Sequence, residues 1–258
     1  MKRKIWNIGF SEISKESVLT ELDQHIEHSS SCKSIAFVNP HSQVTAQKKP
    51  ELLNKINQFD YVLCDGIGTE LAAKLFRKYN IKRLSGPTFF KLLSKSLNRE
   101  NNEVSYFFLG STDYVLAKIQ NNMHKHYPNV SVVGTYSPPM GSFTDQENAS
   151  IIRRINQSNC TVLWVGMTAP KQEEWIADNL SLINAKVAAG IGAEFDYFAE
   201  TKVRPPQWIS VMGLQWLHRL VTQPKTWQRT VLSTPIYITN VLRYWFKTKG
   251  AGDNLKES

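Results

Sequence analysis

One carboxylate, Asp65, stands where the sequence suits a catalytic residue. It follows the apolar run YVLC and precedes Gly66 and Gly68, after which a helical stretch begins. A carboxylate at the end of a strand is placed to act in catalysis. The two glycines would let a ligand approach the main-chain amides of a helix N-terminus closely. The competing interpretation, that Asp65 only caps the helix, is equally open from these residues alone.

Four other segments carry polar or charged groups in comparable positions. Asn39 follows the run SIAFV, and its side-chain amide could contact a sugar hydroxyl or the base of a nucleotide. Arg83 precedes a Gly-Pro turn and could pair with a phosphate. Gly110 ends the run VSYFFLG at a helix start, which offers amides to a phosphate, while Lys171 and Gln172 open a helix after TVLWVG. Turn formation, helix capping or simple exposure explains each segment equally well when it is taken alone.

The elements that must position these groups follow an α/β pattern. Short apolar runs alternate with amphipathic stretches of helical length, which predicts a Rossmann-like, mostly parallel sheet flanked by helices. Helices are expected to begin at Pro50, Pro87, Asp113 and Pro170. The predicted strands cover residues 34–38, 61–64, 104–110, 130–134, 161–166 and 185–190.

The candidate residues fall at the same ends of the predicted strands, which favours a functional site over separate helix caps. Parallel strands bring their carboxyl ends to one edge, and doubly wound sheets bind ligands there. Asn39, Asp65, Gly110 and Gln172 all fall at predicted carboxyl ends. Polar residues with purely structural roles would be expected at both ends of the strands, so we predict a ligand site along this edge.

Several other chemistries lack the residues that they need. A GxGxxG dinucleotide fingerprint would require glycine where Leu71 stands, and in AGIGAEF where Phe195 stands. No DxD metal clamp, Walker loop or GxSxG occurs, and the His124-Lys125-His126 run is interpreted as a solvated helix end. The three cysteines form no CxxC pair, which fits a reducing cytoplasm. We therefore predict neither a cofactor nor a metal site.

The positive charge of the chain is concentrated at one end. Residues 202–258 hold nine Lys/Arg and two Asp/Glu, a surplus of seven within the chain's formal +9, and four of its seven tryptophans. Indole rings beside cations suit a lipid headgroup region, whereas a helix pair packed on the core with solvated cations is the alternative. Nucleic acid is not expected as a partner, because no recognition motif accompanies the charge. We predict a catalytic α/β domain over 1–200 and a basic, helical, membrane-docking appendage over 201–258.

In their order along the chain, these segments resemble the WecG/TagA/CpsF family of bacterial glycosyltransferases. The resemblance runs from about residue 30 to about residue 230 and is carried by specific motifs rather than by composition. The motifs are Asn39, Asp65-Gly66-Ile67-Gly68, Arg83-Leu84-Ser85-Gly86, Leu109-Gly110, Pro138-Pro139-Met140-Gly141-Ser142-Phe143, Gly166-Met167, Pro170-Lys171-Gln172-Glu173, Phe195-Asp196 and Trp216-Leu217-His218-Arg219-Leu220.

The resemblance implies an inverting, metal-independent hexosyltransferase with Asp65 as general base. It implies transfer of N-acetylmannosamine or a related sugar from a UDP-sugar donor to an undecaprenyl-diphosphate-linked sugar, in surface-polysaccharide or teichoic-acid synthesis. Asn39, Arg83 and Gln172 would contact the nucleotide sugar and the reacting hydroxyl, and Arg219 and Arg229 would neutralise the diphosphate. Gly66, Gly68, Gly110 and Lys171 complete the expected substrate-binding set.

The resemblance also implies docking of the appendage on anionic lipids of the inner leaflet, so we expect a cytoplasmic protein that is peripheral on the inner face of the cell membrane. The alternative function is a non-catalytic nucleotide-sugar or anionic-lipid binding module, in which Asp65 would be only a cap. The sequence leaves open whether copies of the chain assemble into a homo-oligomer.

Overall fold

A computed structural model describes residues 1–76, 79–204, 206, 209 and 227–253 of the chain, with side chains in the last segment described for residues 233–247. The β-strands are β1 (Lys2–Ile5), β2 (Ile8–Ser11), β3 (Lys33–Val38), β4 (Tyr61–Cys64), β5 (Ser105–Gly110), β6 (Ser131–Tyr136), β7 (Val162–Gly166) and β8 (Val187–Gly190). The α-helices are α1 (Lys15–His28), α2 (Pro40–Gln47), α3 (Pro50–Gln58), α4 (Ile67–Leu75), α5 (Gly86–Leu97), α6 (Asp113–His126), α7 (Asp145–Gln157), α8 (Lys171–Asn179), α9 (Glu194–Phe198) and, numbered among the described elements, α10 (Trp227–Asp253).

The predicted α/β class is confirmed by a six-stranded sheet in the order β4-β3-β8-β7-β5-β6. Every neighbouring pair in that sheet is parallel, so all six carboxyl ends lie along one edge. The predicted strand positions are right, with β4 correct to the residue. The run predicted as 130–134 is Ser131–Tyr136 because its ladder with β5 continues to the pair Leu109 and Tyr136.

An N-terminal hairpin and four helices were not predicted. β1 and β2 pair antiparallel through a two-residue turn in which both Trp6 and Asn7 have positive φ, as in a type I′ hairpin. Its apolar residues are buried against β4 and α3 and belong to the same core as the sheet. The unpredicted helices are α1, α2, α7 and α9.

Two apolar cores cover the two faces of the sheet. The helix after β3 joins the first core through Val44 and Ala46, whereas the helix after β8 joins the second through Phe195. β3 and β8 are neighbours in the sheet, and the helices that follow them pack on its opposite faces. A crevice therefore opens between the carboxyl ends of β3 and β8, which is the usual place for a ligand in a sheet of this kind.

Helix α10 packs along α2 on one side of this crevice. Ser233, Tyr237 and Val241 are buried in the contact, and the ring of Tyr244 lies 5.7 Å from that of Phe76. No helix in the described ranges combines the length and the apolar character needed to cross a membrane. The predicted division of the chain at residue 200 and the docking function of the segment after it stay predictions.

Candidate active site

Asp65 and Asn39 lie side by side at the sheet edge. β3 and β4 pair with Val38 opposite Cys64, so the next residue of each strand leaves the ladder at the same level. The Asp65 amide donates to the Val38 carbonyl over 3.1 Å, and a Cβ on Gly66 would lie 3.7 Å from the Asn39 Cβ. The parallel register thus brings together two residues that are 26 positions apart in sequence.

Asn39 caps helix α2. Its Oδ1 accepts hydrogen bonds from the Ser42 amide over 2.9 Å and from the Ser42 hydroxyl over 3.2 Å. Pro40 follows at the first helical position, which suits its fixed φ and missing donor. The helix-capping role of Asn39 therefore uses only the oxygen of its side-chain amide. The amide nitrogen donates to no residue in the described part of the chain.

The loop from Asp65 into α4 is packed tightly against its surroundings. Gly66 has φ +139°, a conformation that side chains rarely adopt, and a Cβ on Gly68 would lie 2.9 Å from the Pro40 ring. The same Cβ would approach the Tyr237 ring to 3.7 Å. Helix α10 therefore contacts the loop that carries the candidate base.

A buried polar cluster fixes that contact further. The Gln43 side chain donates to the Thr69 hydroxyl over 2.9 Å and lies 3.4 Å from the Tyr237 hydroxyl. Burial raises the pKa of Tyr237 to about 12, so the phenol stays protonated. Gln43, Thr69 and Tyr237 belong to α2, α4 and α10, so this cluster joins the helices that follow Asn39 and Asp65 to α10.

Arg83 lies on the outer side of β4. It forms an isolated parallel bridge with Cys64, whose carbonyl accepts the Leu84 amide over 2.8 Å. Burial is the largest influence on the Cys64 thiol and raises its pKa, and the charges of Asp65 and Glu70 raise it further. The charge of Arg83 lowers that pKa. Arg83 and Asp65 thus act on the same buried thiol and belong to one electrostatic environment.

Gln172 reaches across from α8 to the end of β8. Its side chain is 4% exposed, and its Nε2 donates to the Gly190 carbonyl over 3.0 Å and to Glu173 Oε1 over 2.9 Å. Because β8 lies beside β3, Gln172 stands one strand away from Asn39. We call the carboxyl ends of β4, β3 and β8, with Asp65, Asn39, Arg83 and Gln172, the Asp65 end of the edge.

The other half, formed by the carboxyl ends of β7, β5 and β6, is the Gly110 end. A Cβ on Gly110, which has φ +124°, would lie 2.5 Å from the Gly166 carbonyl oxygen. Lys171 donates to the Gly141 carbonyl, and its ammonium lies 3.7 Å from the centre of the Phe143 ring. Gly110 and Lys171 therefore have packing partners here, and their predicted contacts with substrate stay predictions.

Sequence reasoning missed a buried carboxyl beside Gln172. Glu173 is 3% exposed, and burial raises its pKa to about 7. Among the described residues its Oε2 has no hydrogen-bond partner, although Oε1 accepts from Gln172. A glutamate in the first turn of a helix ordinarily faces solvent, so the sequence carried no signal that this one is buried.

The two arginines expected to contact the diphosphate are not among the described side chains. Arg219 lies outside the described residues, and Arg229 belongs to α10 at a position whose side chain is not described. In the part of the chain that the structure describes, no three His, Cys, Asp or Glu side chains are grouped closely enough to hold a metal ion.

The chain is similar to known proteins over most of its length. The model of the glycosyl transferase WecG/TagA/CpsF family matches residues 3–251. A Bacillus subtilis protein is 27% identical over 93% of this chain and 90% of its own, and one from Bacillus spizizenii is 30% identical over 81% and 79%. A Staphylococcus aureus protein is 28% identical over 84% and 82%. All three are named N-acetylglucosaminyldiphosphoundecaprenol N-acetyl-beta-D-mannosaminyltransferase.

Proposed function

The chain belongs to the WecG/TagA/CpsF family of glycosyltransferases, and from this premise we propose that it transfers N-acetylmannosamine or a related hexose from a UDP-sugar to a polyprenyl-diphosphate-linked sugar. The relatives' names describe an N-acetylmannosaminyl group moved onto an N-acetylglucosaminyl-diphosphate lipid. Such a product suits the synthesis of a cell-surface polysaccharide or a teichoic acid. The observation that supports the proposal is that Asp65, Asn39 and Gln172 lie at the carboxyl ends of the adjacent strands β4, β3 and β8.

Asp65 acts as general base in this proposal. Its carboxylate takes the proton of the acceptor hydroxyl as that oxygen forms the new bond to the anomeric carbon of the donor. The bond from the anomeric carbon to UDP breaks in the same step, so the configuration inverts. A base positioned within hydrogen-bond reach of the hydroxyl contributes roughly 10² to 10⁴ in rate.

The surrounding residues hold the two substrates in place. The amide nitrogen of Asn39 donates to a sugar hydroxyl, and Arg83 supplies positive charge beside the base. The amides at the start of α4, after Gly66 and Gly68, face the same end of the edge. Arg219 and Arg229 neutralise the departing diphosphate, so no metal ion is needed for this step.

The reaction is tested by a transfer assay on the purified full chain. UDP-N-acetylmannosamine and a synthetic N-acetylglucosaminyl-diphosphate lipid are incubated with it, with and without EDTA, and the product is analysed by NMR. We expect a disaccharide lipid with inverted anomeric configuration in both conditions. No transfer from any UDP-hexose would refute the proposal, and retained configuration or loss of activity in EDTA would refute its mechanism.

We also propose that the exposed face of α10 docks on an anionic membrane surface. Ile238, Leu242 and Phe246 are 52%, 40% and 65% exposed and follow one another at four-residue spacing. Arg243 and Lys247 are exposed beside them. An apolar stripe flanked by cations is the arrangement that lies in a headgroup region, and the opposite face of the helix is occupied by the contact with α2.

Liposome partition tests the docking. In vesicles containing phosphatidylglycerol, the double variant Leu242→Glu with Phe246→Glu should lose most of its partition, because two apolar groups are replaced by anions. Leu182→Glu is the matched control, since Leu182 is 56% exposed but precedes β8 at the opposite edge of the sheet. Equal partition of both variants and the unchanged chain would refute docking through this face.

A further inference from the structure

One side chain of α10 reaches the loop that carries Asp65. Tyr237 is 4% exposed, and a Cβ added to Gly68 would lie 3.7 Å from Cε1 of its ring. The same Cβ would lie 2.9 Å from the Pro40 ring, so Gly68 is held between α2 and α10. The Trp6 ring also packs edge to face against the tyrosine, with ring centres 6.2 Å apart. The start of α4 therefore lies against a ring on each of two helices, and a shift toward either helix is blocked.

The Tyr237 hydroxyl joins a buried hydrogen-bonded cluster. Gln43 Nε2 lies 3.4 Å from the hydroxyl oxygen and donates to the Thr69 hydroxyl over 2.9 Å. Gln43 and Thr69 are both 0% exposed. Burial is the main reason why the pKa of Tyr237 is raised to about 12, and hydrogen bonds with Thr69 and Gln43 partly offset it. Because buried hydroxyls and amides are costly to leave without partners, the cluster favours one arrangement of the three helices.

Two members of this cluster lie on the helices that follow the candidate site residues. Thr69 belongs to the first turn of α4, which begins two residues after Asp65, and Gln43 belongs to the first turn of α2, directly after Asn39. Asp65 is also held by the sheet, because its amide donates to the last carbonyl of β3 over 3.1 Å. The direction in which the chain leaves Asp65 therefore depends on where α4 begins, and Tyr237 contacts that point.

We propose that Tyr237 is a positioning residue for the Asp65 carboxylate. The proposal rests on the proposed function, and it gives the C-terminal segment a part in catalysis that is separate from docking. The Tyr237 hydroxyl holds the start of α4 through Thr69 and Gln43, which keeps the carboxylate within reach of the acceptor hydroxyl. A misplacement of about 1 Å can cost a reaction on the order of 10²-fold in rate, so loss of a contact remote from the substrate is sufficient to slow transfer.

Tyr237→Phe tests the hydroxyl, because it keeps the ring that packs against Gly68 and Trp6. In the transfer assay we expect kcat to fall by about tenfold, while KM for UDP-N-acetylmannosamine stays within about twofold, since no donor contact is altered. Partition to phosphatidylglycerol vesicles should be unchanged, because Tyr237 lies on the buried face of α10. A raised KM with an unchanged kcat would assign Tyr237 to donor binding and overturn the positioning role.

Tyr106→Phe is the matched control. Tyr106 is fully buried in β5, and its hydroxyl lies 3.3 Å from the Ser94 hydroxyl in the core on the opposite face of the sheet from Tyr237. This variant loses a buried hydrogen bond of the same kind, so the midpoints of urea denaturation of the two variants should fall by similar amounts. Its kcat should stay within about twofold of that of the unaltered chain. An equal loss of kcat in both variants would show that Tyr237 acts through stability alone and would overturn the proposal.

A second comparison asks whether Tyr237 acts through Asp65. In an Asp65→Asn background no base is left to position, so adding Tyr237→Phe should leave the residual single-turnover rate unchanged within about twofold. A further tenfold loss would show that the two residues act independently, and the positioning role would be wrong.

Thr69→Val tests the same cluster from the side of α4. It removes the hydroxyl to which Gln43 donates and keeps the volume of the side chain. We expect it to reproduce the loss of kcat in Tyr237→Phe, and the double variant should be no slower than the slower single variant, because both changes break one contact. Losses that multiply in the double variant would contradict a shared role.

Failure of the proposed function would look different. Absence of transfer by the unaltered chain from any UDP-hexose would refute the reaction, and an unchanged rate in Asp65→Asn alone would refute the general base. Normal transfer by the unaltered chain, a slow Asp65→Asn variant and a Tyr237→Phe variant no different from Tyr106→Phe would overturn the positioning role alone.

Discussion

The two ends of the sheet edge carry similar sequence signals but are built differently. At the Asp65 end, the Asn39 amide nitrogen and Glu173 Oε2 have no hydrogen-bond partner among the described residues. At the Gly110 end, Gly110 is pressed against the Gly166 carbonyl and Lys171 is held by Gly141 and Phe143. Position at a carboxyl strand end therefore does not by itself identify a residue that meets substrate. The packing contacts of Gly110 and Lys171 distinguish the Gly110 end from the Asp65 end.

The largest expected effect belongs to the proposed base. Asp65→Asn should lower the rate of transfer by roughly 10² to 10⁴, because the acceptor hydroxyl loses the group that takes its proton. Donor binding, measured by calorimetry with UDP, should persist. Asp113→Asn is the matched control, since Asp113 is an exposed carboxylate in the first turn of α6 at the Gly110 end. Equal loss in both variants would remove the distinction between the two ends.

Gly110 should matter for stability more than for chemistry. In Gly110→Ala the new Cβ would meet the Gly166 oxygen at 2.5 Å in a left-handed backbone conformation. We expect the free energy of unfolding to fall by about 2 to 4 kcal/mol, while kcat/KM of the folded fraction stays within about tenfold. Gly141→Ala is the control for backbone strain, since Gly141 has φ +99° with nothing within 4 Å. It should lose only about 1 kcal/mol in chemical denaturation. A stable but inactive Gly110→Ala would give Gly110 a role in binding.

Glu173 should make stability depend on pH. Burial raises its pKa from 4.5 to about 7. Between these values the unfolded chain has released this proton and the folded chain still holds it, so the stability falls as the pH rises. The loss amounts to about 3 kcal/mol at most.

Denaturation at pH 5 and at pH 8 measures this effect. Glu173→Gln should lose less stability than the unaltered chain between the two values. Glu194, whose pKa is also raised to about 7 by burial, contributes equally to both proteins and cancels in the comparison. Parallel pH profiles of the two proteins would show that Glu173 ionises normally in the folded state.

The smallest expected effect belongs to Lys171. Lys171→Met keeps the apolar stem of the side chain but removes the charge that contacts the Gly141 carbonyl and the Phe143 ring. A cation–π contact at a partly exposed site contributes about 0.5 to 1 kcal/mol, and the free energy of unfolding should fall by that amount. The affinity for UDP should change by less than about threefold if Lys171 keeps its contacts with Gly141 and Phe143 when UDP binds. A much larger loss of affinity would assign Lys171 to the diphosphate.

The sequence was sufficient for the sheet and for its edge. Continuous apolar runs that end at Asn39, Asp65 or Gly110 are typical of buried parallel strands, and each of those strands is present. Because parallel strands share an edge, the meeting of Asn39 and Asp65 followed from the same pattern. Helix α7 could also have been predicted, because Thr144 and Glu147 form a capping box that is visible as T-x-x-E.

Other features depended on information that local patterns do not contain. The N-terminal hairpin turns at Trp6-Asn7, which lacks the Asn-Gly or Asp-Gly pair that identifies such turns. The strand order decides that Gln172, which follows β7, reaches the end of β8 and not β5. Burial of Glu173 and the close approach of Gly110 to Gly166 arise from tertiary packing. These contacts separate the two ends of the edge, and they required the three-dimensional structure.

The central claim is that the acceptor hydroxyl reacts at the Asp65 end, and a crystal structure with UDP and a short-chain N-acetylglucosaminyl-diphosphate acceptor tests it most directly. We predict one acceptor hydroxyl oxygen within about 3.2 Å of the Asp65 carboxylate, with Asn39 in contact with a sugar. An acceptor seated instead over Gly110 and Lys171, with its hydroxyls out of reach of Asp65, would contradict the assignment of the reaction to this end.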